Sequence, residues 1–327
     1  MTILLFQISR ENLEARDAQS DCDSIAQRIE AYRHLYPADN PKLIIAGEAA
    51  DATPVESGLP EVTLENLSAD CLRNALAQHG ALIVRNMFSQ QEADTLVGAI
   101  DQVLDACGSA RAVRASLAGT YHNPPQNMAS IMPNKEMELG SLRMFNNAGG
   151  AAMCVEAPSV AEALLQLYEE HGVKDLVGEY LGEPACLSVK KWVLRRSKLP
   201  FDKGGWHQDG AFMGTDINSI NMWIPLNECG GETGAPGMDV VPERLHKVAS
   251  SDGATFGWSV SDEHIGNAGF KSRPVAPVFG AGDAMFFDHL YLHRTQSRDD
   301  FTKVRYAVET WFFGASTFPK DQIPMEW

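Results

Sequence analysis

The sequence predicts a mainly β fold, a sandwich or barrel of short strands, with helices packed on one side. From Cys186 to Phe313 the chain consists of short β-like segments separated by Gly and Pro clusters, a pattern typical of sandwiches and barrels. Helical apolar spacing is concentrated before this stretch. With 327 residues, of which 44% are hydrophobic, the chain is long enough to bury a large core.

The first 70 residues differ in character from the rest. Charged residues dominate from Glu11 to Tyr36, which predicts a helix, and the prolines between Pro37 and Pro60 predict a loop after it. We therefore expect residues 1–70 to form an N-terminal extension of helix and loop, and residues 71–327 to form the main domain.

The main domain is predicted to open with a helix, a strand and a second helix. Leu72 to His79 has helical spacing and ends before a glycine, Ala81 to Arg85 is a short apolar strand, and Ser89 to Cys107 again has helical spacing. Ser89 is a suitable N-cap for that second helix. A further helix is predicted from Val160 to His171, before the strands begin.

Charge and cysteine content disfavour several classes of function. The chain has 27 basic and 43 acidic residues, a formal net charge of −16, which repels phosphate backbones and anionic lipids. Its six cysteines form no C-x-x-C pair, unlike those of zinc ribbons and redox motifs. No signal peptide or membrane span is recognisable. We expect a cytoplasmic monomer or homodimer that binds a small molecule, and no nucleic acid or membrane.

The first chemically informative segment runs from Gly204 to Gly210 and contains His207 and Asp209. In a strand, residues two apart project from one face, so this histidine and this carboxylate can reach the same metal ion. With 9 His and 43 acidic residues in the chain, about one such pair is expected by chance. The pair therefore needs independent support.

That support comes from a second segment, Phe286 to Thr295, followed by a polar turn. His293 and Thr295 share a face by the same period of two. If the next strand returns antiparallel in a hairpin, Arg305 lies opposite Thr295. A guanidinium and a hydroxyl beside an imidazole are well suited to a ligand carboxylate.

Two histidines and one carboxylate form the facial triad of non-haem iron(II) oxygenases, which leaves positions open for co-substrate and oxygen. The same donor set also binds zinc, so a zinc hydrolase is an alternative, although such an enzyme has no need of a carboxylate clamp such as Arg305. His289 is the rival of His293 as a ligand, but Tyr291, which lacks an alcohol hydroxyl, stands two residues after it.

These motifs in combination resemble the phytanoyl-CoA dioxygenase-like branch of the iron(II) and 2-oxoglutarate-dependent oxygenases. The resemblance extends from about Leu72 to Phe313. It is carried by the helix, strand and helix opening, by the H-x-D segment, by the middle of a jelly roll, and by the closing pattern of distal His, hydroxyl and Arg: Leu72 to Gln102, Trp206 to Gly210, Asn221 to Asn227, Gly234 to His246, and Gly282 to Arg305.

The resemblance implies a double-stranded β-helix, a cupin-like jelly roll, for residues 71–327. It implies iron(II), 2-oxoglutarate and O2 as cofactor and co-substrates. Carried over residue by residue, the iron ligands would be His207, Asp209 and His293, the distal carboxylate of 2-oxoglutarate would be held by Arg305 and Thr295, and Trp223 would line the same pocket.

The activity implied is hydroxylation of an unactivated C–H bond of a small-molecule metabolite, with release of succinate and CO2. Because Asp209 is present, related halogenases, which lack this carboxylate, are disfavoured. Two alternatives stay open: the same iron site driving desaturation, cyclisation or epimerisation, and a non-catalytic cupin-like module that binds a metal or 2-oxoglutarate.

Four further residues are candidates for substrate contact. Lys191 and Arg195 share one face of a predicted strand and could face a pocket together, although a solvated edge strand protected by Lys and Arg is an equal alternative. Arg143 and His122 lie in segments predicted to be loops, and loops at the mouth of a jelly roll often determine specificity.

Overall fold

The computed structural model describes residues 8–35, 58–108, 136–199, 204–249, 259–267 and 270–327. Most of the helices precede the majority of the strands, as the sequence predicts. The helices of the described chain are α1 (Arg10–Glu14), α2 (Ala18–Leu35), α3 (Ala69–His79), α4 (Gln90–Gly108), α5 (Glu136–Ala148), α6 (Pro158–Glu170), α7 (Val173–Leu181), α8 (Gly210–Met213) and α9 (Asp262–Asn267).

The described strands form a large sheet, a small sheet and a two-stranded ribbon. They are β1 (Glu61–Thr63), β2 (Ala81–Arg85), β3 (Ala151–Met153), β4 (Ala185–Arg196), β5 (Trp206–His207), β6 (Ser219–Pro225), β7 (Cys229–Gly230), β8 (Met238–Val240), β9 (Ser259–Val260), β10 (Val278–Phe279), β11 (Ala284–Phe287), β12 (His293–Thr295), β13 (Tyr306–Gly314) and β14 (Pro324–Glu326). The large sheet has the order β1-β2-β11-β6-β13-β4-β14, with β3 also paired to β4, and the small sheet has the order β8-β12-β5-β9.

The large sheet separates two hydrophobic cores. On β2, Leu82 and Val84 pack towards the helices, whereas Ala81 and Ile83 pack with residues of the small sheet such as Val240. Because successive side chains of a strand point to opposite faces, a strand buried on both faces is apolar throughout. One core therefore lies between the large sheet and the helices, and the other lies between the two sheets. The predicted mainly β fold with flanking helices is confirmed.

The predicted opening of the domain is observed with small shifts at the helix ends. Ser68 caps α3 by accepting from Cys71 N at 3.1 Å, and Gly80 ends this helix with φ +80°. Ser89 and Glu92 form a capping box before α4, since Ser89 N donates to Glu92 Oε2 at 2.7 Å and Glu92 N donates to Ser89 Oγ at 3.3 Å.

The N-terminal helix α2 packs on the helical face of the domain and contacts α6 and β14. Arg28 Nε lies 3.1 Å from Glu162 Oε1 on α6, and the Tyr32 hydroxyl donates to Ala315 O at 3.0 Å. Among the described helices, none is long and apolar enough to cross a membrane.

A turn before β11 gives a test of the fold. Gly282 has φ +81°, and a Cβ placed there would lie 2.1 Å from Phe88 O. The backbone N–H of the same Phe88 donates to Gly282 O at 2.8 Å, so the two residues are held close together. We expect Gly282→Ala to lower the free energy of unfolding by about 2 kcal/mol or more, because both the backbone conformation and the space favour glycine.

Gly98 is the matched control, since it lies on the exposed side of α4 and a Cβ there meets nothing within 4 Å. We expect Gly98→Ala to raise the free energy of unfolding by about 0.5–1 kcal/mol. Urea unfolding of both variants measures the difference, and equal effects of the two substitutions would contradict this account of the turn.

Candidate metal centre

The small sheet brings two of the predicted ligands together. His293 on β12 is the direct cross-strand partner of His207 on β5, and their ring centroids are 4.4 Å apart. Directly opposed residues of an antiparallel pair have neighbouring side chains on one face of the sheet. Two residues 86 positions apart in the sequence therefore present their imidazoles to the same point.

Both histidines have one ring nitrogen fixed by the backbone. His207 Nδ1 lies 2.9 Å from Gly205 O, and His293 Nδ1 lies 2.9 Å from Tyr291 O. A proton on Nδ1 satisfies each carbonyl and places the lone pair on Nε2, which is how metal-binding histidines are commonly oriented. Burial, and next the neighbouring His207 ring, lowers the pKa of His293 to about 4, so the ring is neutral, as a metal ligand must be.

Asp209, the third predicted ligand, lies outside the strand. β5 ends at His207, and Asp209 has helical backbone angles, φ −63° and ψ −24°, at the start of α8. The expectation that strand alternation aligns these two side chains is therefore wrong, and a tight turn brings the carboxylate back towards the histidines. Burial raises the pKa of Asp209, but Lys191 and the two histidines outweigh it and hold the pKa below its ordinary value.

Gln208, between the two, anchors the turn. Its amide donates to Leu290 O at 2.6 Å and to Lys247 O at 3.1 Å, and its carbonyl accepts from Ala249 N at 2.7 Å. These bonds join the segment after β5 to the chain that leads into β12. A buried, fully bonded amide of this kind fixes the relative positions of the segments that carry the ligands.

Lys191 is the present partner of the Asp209 carboxylate. Its Nζ lies 3.3 Å from Asp209 Oδ1 and 4.4 Å from the centre of the Phe212 ring. Within the described ranges, no three His, Cys, Asp or Glu side chains are already arranged to hold a metal ion. A metal ion bound by the two histidines would therefore add a second positive partner to the Asp209 carboxylate, beside this ammonium group.

Arg305 lies in the interior between the sheets, and its guanidinium has few hydrogen-bond partners among the described residues. It is 5% exposed, its Nη1 is 3.5 Å from Gly237 O, and its Nε has no hydrogen-bond partner among the residues that the structure describes. The guanidinium carbon is 5.8 Å from the centre of the Trp223 ring. Burial lowers the pKa of Arg305 to about 10, so at neutral pH it is a buried cation.

The route by which Arg305 reaches this position differs from the predicted hairpin. β12 pairs with β8 and β5 in the small sheet, whereas β13, which follows Arg305, pairs with β4 and β6 in the large sheet. Arg305 therefore approaches from the opposite sheet. Its contact at Gly237 adjoins Met238, the cross-strand partner of Thr295, so the clamp residues come near each other across the interior.

The four residues predicted to contact substrate lie in different places. Lys191 lies at the site, and Arg195 binds Glu309 Oε2 at 2.8 Å from the inner face of the large sheet. Arg143 lies in helix α5, not in a loop, and forms an ion pair with Glu156, a fully buried residue behind the sheet. His122 is outside the described residues.

Sequence reasoning assigned no part in ligand binding to three residues of the interior. Glu309, Asn221 and Trp311 all lie on the inner face of the large sheet, where the register places Asn221 opposite Trp311 and Glu309 opposite Trp223. The first two are polar residues in strands that contain few others, Ser219 on β6 and Thr310 on β13. That exception to the apolar pattern is the signal that could have identified them.

The rival histidine, His289, has one ring nitrogen bonded to a side chain outside the predicted ligand set. Its Nδ1 lies 2.8 Å from Ser219 Oγ, and its carbonyl accepts from Gly210 N at 2.7 Å. Burial lowers the pKa of His289. His289 therefore links the first residue of β6, Ser219, to the backbone of Gly210, which directly follows Asp209.

The fold is similar to that of a solved structure. The crystal structure of EctD from S. alaskensis with 2-oxoglutarate and 5-hydroxyectoine is 16% identical, with a TM-score of 0.55 over 88% of this chain and 89% of that chain. The non-heme alpha ketoglutarate dependent carbocyclase SnoK from nogalamycin biosynthesis is 15% identical, with a TM-score of 0.49 over 79% of this chain and 87% of that chain. No curated protein sequence matches the chain.

Comparison with family sequence models shows which family the chain belongs to. The sequence model of phytanoyl-CoA dioxygenase (PhyH) matches residues 76–298, which is more than half of the chain and includes both histidines and Asp209. The chain therefore belongs to the phytanoyl-CoA dioxygenase family and is a non-haem iron oxygenase that uses iron(II), 2-oxoglutarate and O2.

Proposed function

We propose that His207, Asp209 and His293 bind the iron(II), and that Arg305 with Thr295 binds the distal carboxylate of 2-oxoglutarate. The donor set is that of the facial triad, which occupies one side of the metal and leaves the other side for co-substrate and oxygen. The ring orientations of both histidines and the buried, ionised state of Asp209 support this assignment.

The observation that carries the proposal is the Arg305 guanidinium. A buried cation with one long hydrogen bond is costly unless an anion compensates it. A carboxylate suits the fork of the guanidinium, which can donate two parallel hydrogen bonds. The distal carboxylate of 2-oxoglutarate would supply that anion, with Trp223 beside the guanidinium.

We further propose that the reaction is hydroxylation of a small molecule. Bound iron, 2-oxoglutarate and O2 together supply the oxidation of a C–H bond, with succinate and CO2 as co-products. The residues of the chain bind and orient: the triad fixes the metal, Arg305 fixes the co-substrate, and the aromatic rings Phe287, Trp311 and Tyr291 exclude water from the interior.

The ligand assignment predicts the effect of removing each histidine. We expect His207→Ala and His293→Ala to weaken iron(II) binding more than about 100-fold, because even residues that only support metal ligands cost 10- to 100-fold. His246→Ala, an exposed histidine, is the matched control and should bind iron as the unaltered protein does. Anaerobic titration of metal-free protein with iron(II) measures the affinities, and tight binding by His293→Ala would contradict the assignment.

The carboxylate clamp predicts a selective loss. We expect Arg305→Ala to weaken 2-oxoglutarate binding roughly 30-fold or more, corresponding to about 2 kcal/mol for a buried charge pair. Binding of 2-oxobutanoate, which lacks the distal carboxylate, should change little. The visible charge-transfer band of the chelated co-substrate reports both titrations.

Arg298→Ala is the matched control for this experiment, because Arg298 pairs at the surface with Glu232 and Asp300. Equal losses for 2-oxoglutarate and 2-oxobutanoate in Arg305→Ala would contradict the clamp.

Once a substrate is found by succinate release, a product heavier by one oxygen atom supports hydroxylation, whereas loss of two hydrogens or an unchanged mass indicates desaturation, cyclisation or epimerisation.

A further inference from the structure

The inner face of the large sheet carries a row of side chains opposite the candidate metal ligands. The register places Asn221 on β6 between Phe287 on β11 and Trp311 on β13. Alternation along β6 agrees, since Ile220 and Met222 belong to the core on the helical side. Asn221 therefore projects into the space between the sheets, together with its two aromatic neighbours.

Two members of this row have polar groups without a partner. Asn221 is 1% exposed and Trp311 is 0% exposed. Neither atom of the Asn221 amide, nor the indole Nε1 of Trp311, has a hydrogen-bond partner among the residues that the structure describes. Buried polar groups are nearly always hydrogen-bonded, so adjacent orphans in the interior of an enzyme indicate a place that a ligand fills.

The row lies next to the candidate iron ligands. The Phe287 ring centroid is 4.7 Å from that of His293 and 5.9 Å from that of Trp311. The indole and the amide thus lie beside the ring that contacts His293. A molecule that bonds to them has part of its structure within reach of the metal.

Lys191 adds a positive charge to the same place. On β4, Trp192 pairs with Thr310 and Leu187 pairs with Phe312, so Trp311 lies opposite the irregular stretch 188–191, which ends at Lys191. The Lys191 ammonium now binds Asp209. Once Asp209 becomes a metal ligand, its charge is shared with the metal ion, and the ammonium can donate to a second anion.

The formal charges of the side chains named above, of iron(II) and of 2-oxoglutarate add up to one net positive charge. Arg195 and Glu309 neutralise each other, and so do Lys191 and Asp209, which leaves the cation Arg305. Iron(II) and doubly ionised 2-oxoglutarate balance each other. One positive charge therefore remains in the loaded site, and a singly charged anion compensates it.

We infer that Lys191, Asn221 and Trp311 form a subsite for a carboxylate of the primary substrate, so that the substrate class is a monocarboxylic acid. This inference rests on the proposed iron and 2-oxoglutarate site. The three groups together offer an ammonium, an amide N–H and an indole N–H, which match the several lone pairs of a carboxylate. Phe287 and Trp311 provide an apolar wall for the rest of the molecule.

The test uses trifluoroacetate as the probe and uncharged trifluoroacetamide of similar shape as its control. The protein is loaded anaerobically with iron(II) and 2-oxoglutarate, and the charge-transfer band establishes that loading is complete. Fluorine NMR then measures line broadening by the paramagnetic iron. We expect saturable broadening of trifluoroacetate that acetate displaces, and none of trifluoroacetamide.

Variants assign the effect to the subsite. Lys191→Met should weaken trifluoroacetate binding roughly tenfold or more, and Trp311→Phe, which removes the indole N–H and keeps a smaller aromatic ring, should weaken it roughly threefold or more. Lys190→Met is the matched control, because the neighbouring Lys190 binds the Asp321 carbonyl away from the site, and it should leave binding unchanged.

Three results would overturn the inference, each for a different reason. A normal band without saturable broadening, or equal broadening in Lys191→Met, contradicts the subsite itself. Saturable broadening in protein that holds iron(II) alone, which is absent once 2-oxoglutarate is also loaded, assigns the anion site to the first carboxylate of the co-substrate instead of the substrate. Absence of the band contradicts the proposed iron and 2-oxoglutarate site.

Discussion

The pairing of β12 with β5 is the interaction on which the site depends. It places His293 opposite His207, and the hydrogen bonds of Gln208 fix the turn that returns Asp209 to them. The large sheet then closes over this side of the small sheet and contributes Arg305 and Lys191 from the opposite wall. A shift of one residue in the β12–β5 register would turn the histidines to different faces.

The interior between the sheets combines close packing with buried charge. Aromatic rings fill much of it, yet it also holds the cation Arg305 and the ion pairs of Lys191 with Asp209 and of Arg195 with Glu309. Buried ion pairs contribute little to stability and are expensive when broken. Their concentration around two histidines is what the proposed metal and co-substrate site requires, whereas the helical core on the other face of the large sheet consists of apolar side chains.

Much of the fold was predictable, because periodicity and capping are local properties. The strand Ala81–Arg85 and the helix after Ser89 follow directly from such signals, and the family motifs indicated the histidines and Asp209. The position of Arg305 was not predictable, because the chain crosses between sheets after β12 instead of forming a hairpin. The loop predicted around Arg143 is instead a helix, and its ion pair with Glu156 was not predictable because it depends on tertiary packing.

The central claim is that three side chains of the small-sheet region hold iron while Arg305 reaches the co-substrate from the large sheet. A crystal structure of the protein grown anaerobically with iron(II) and 2-oxoglutarate tests it most directly. We predict the metal bound by Nε2 of His207, Nε2 of His293 and the Asp209 carboxylate, with Arg305 donating to the distal carboxylate. Metal bound by His289, or a co-substrate carboxylate without Arg305 beside it, would contradict the account.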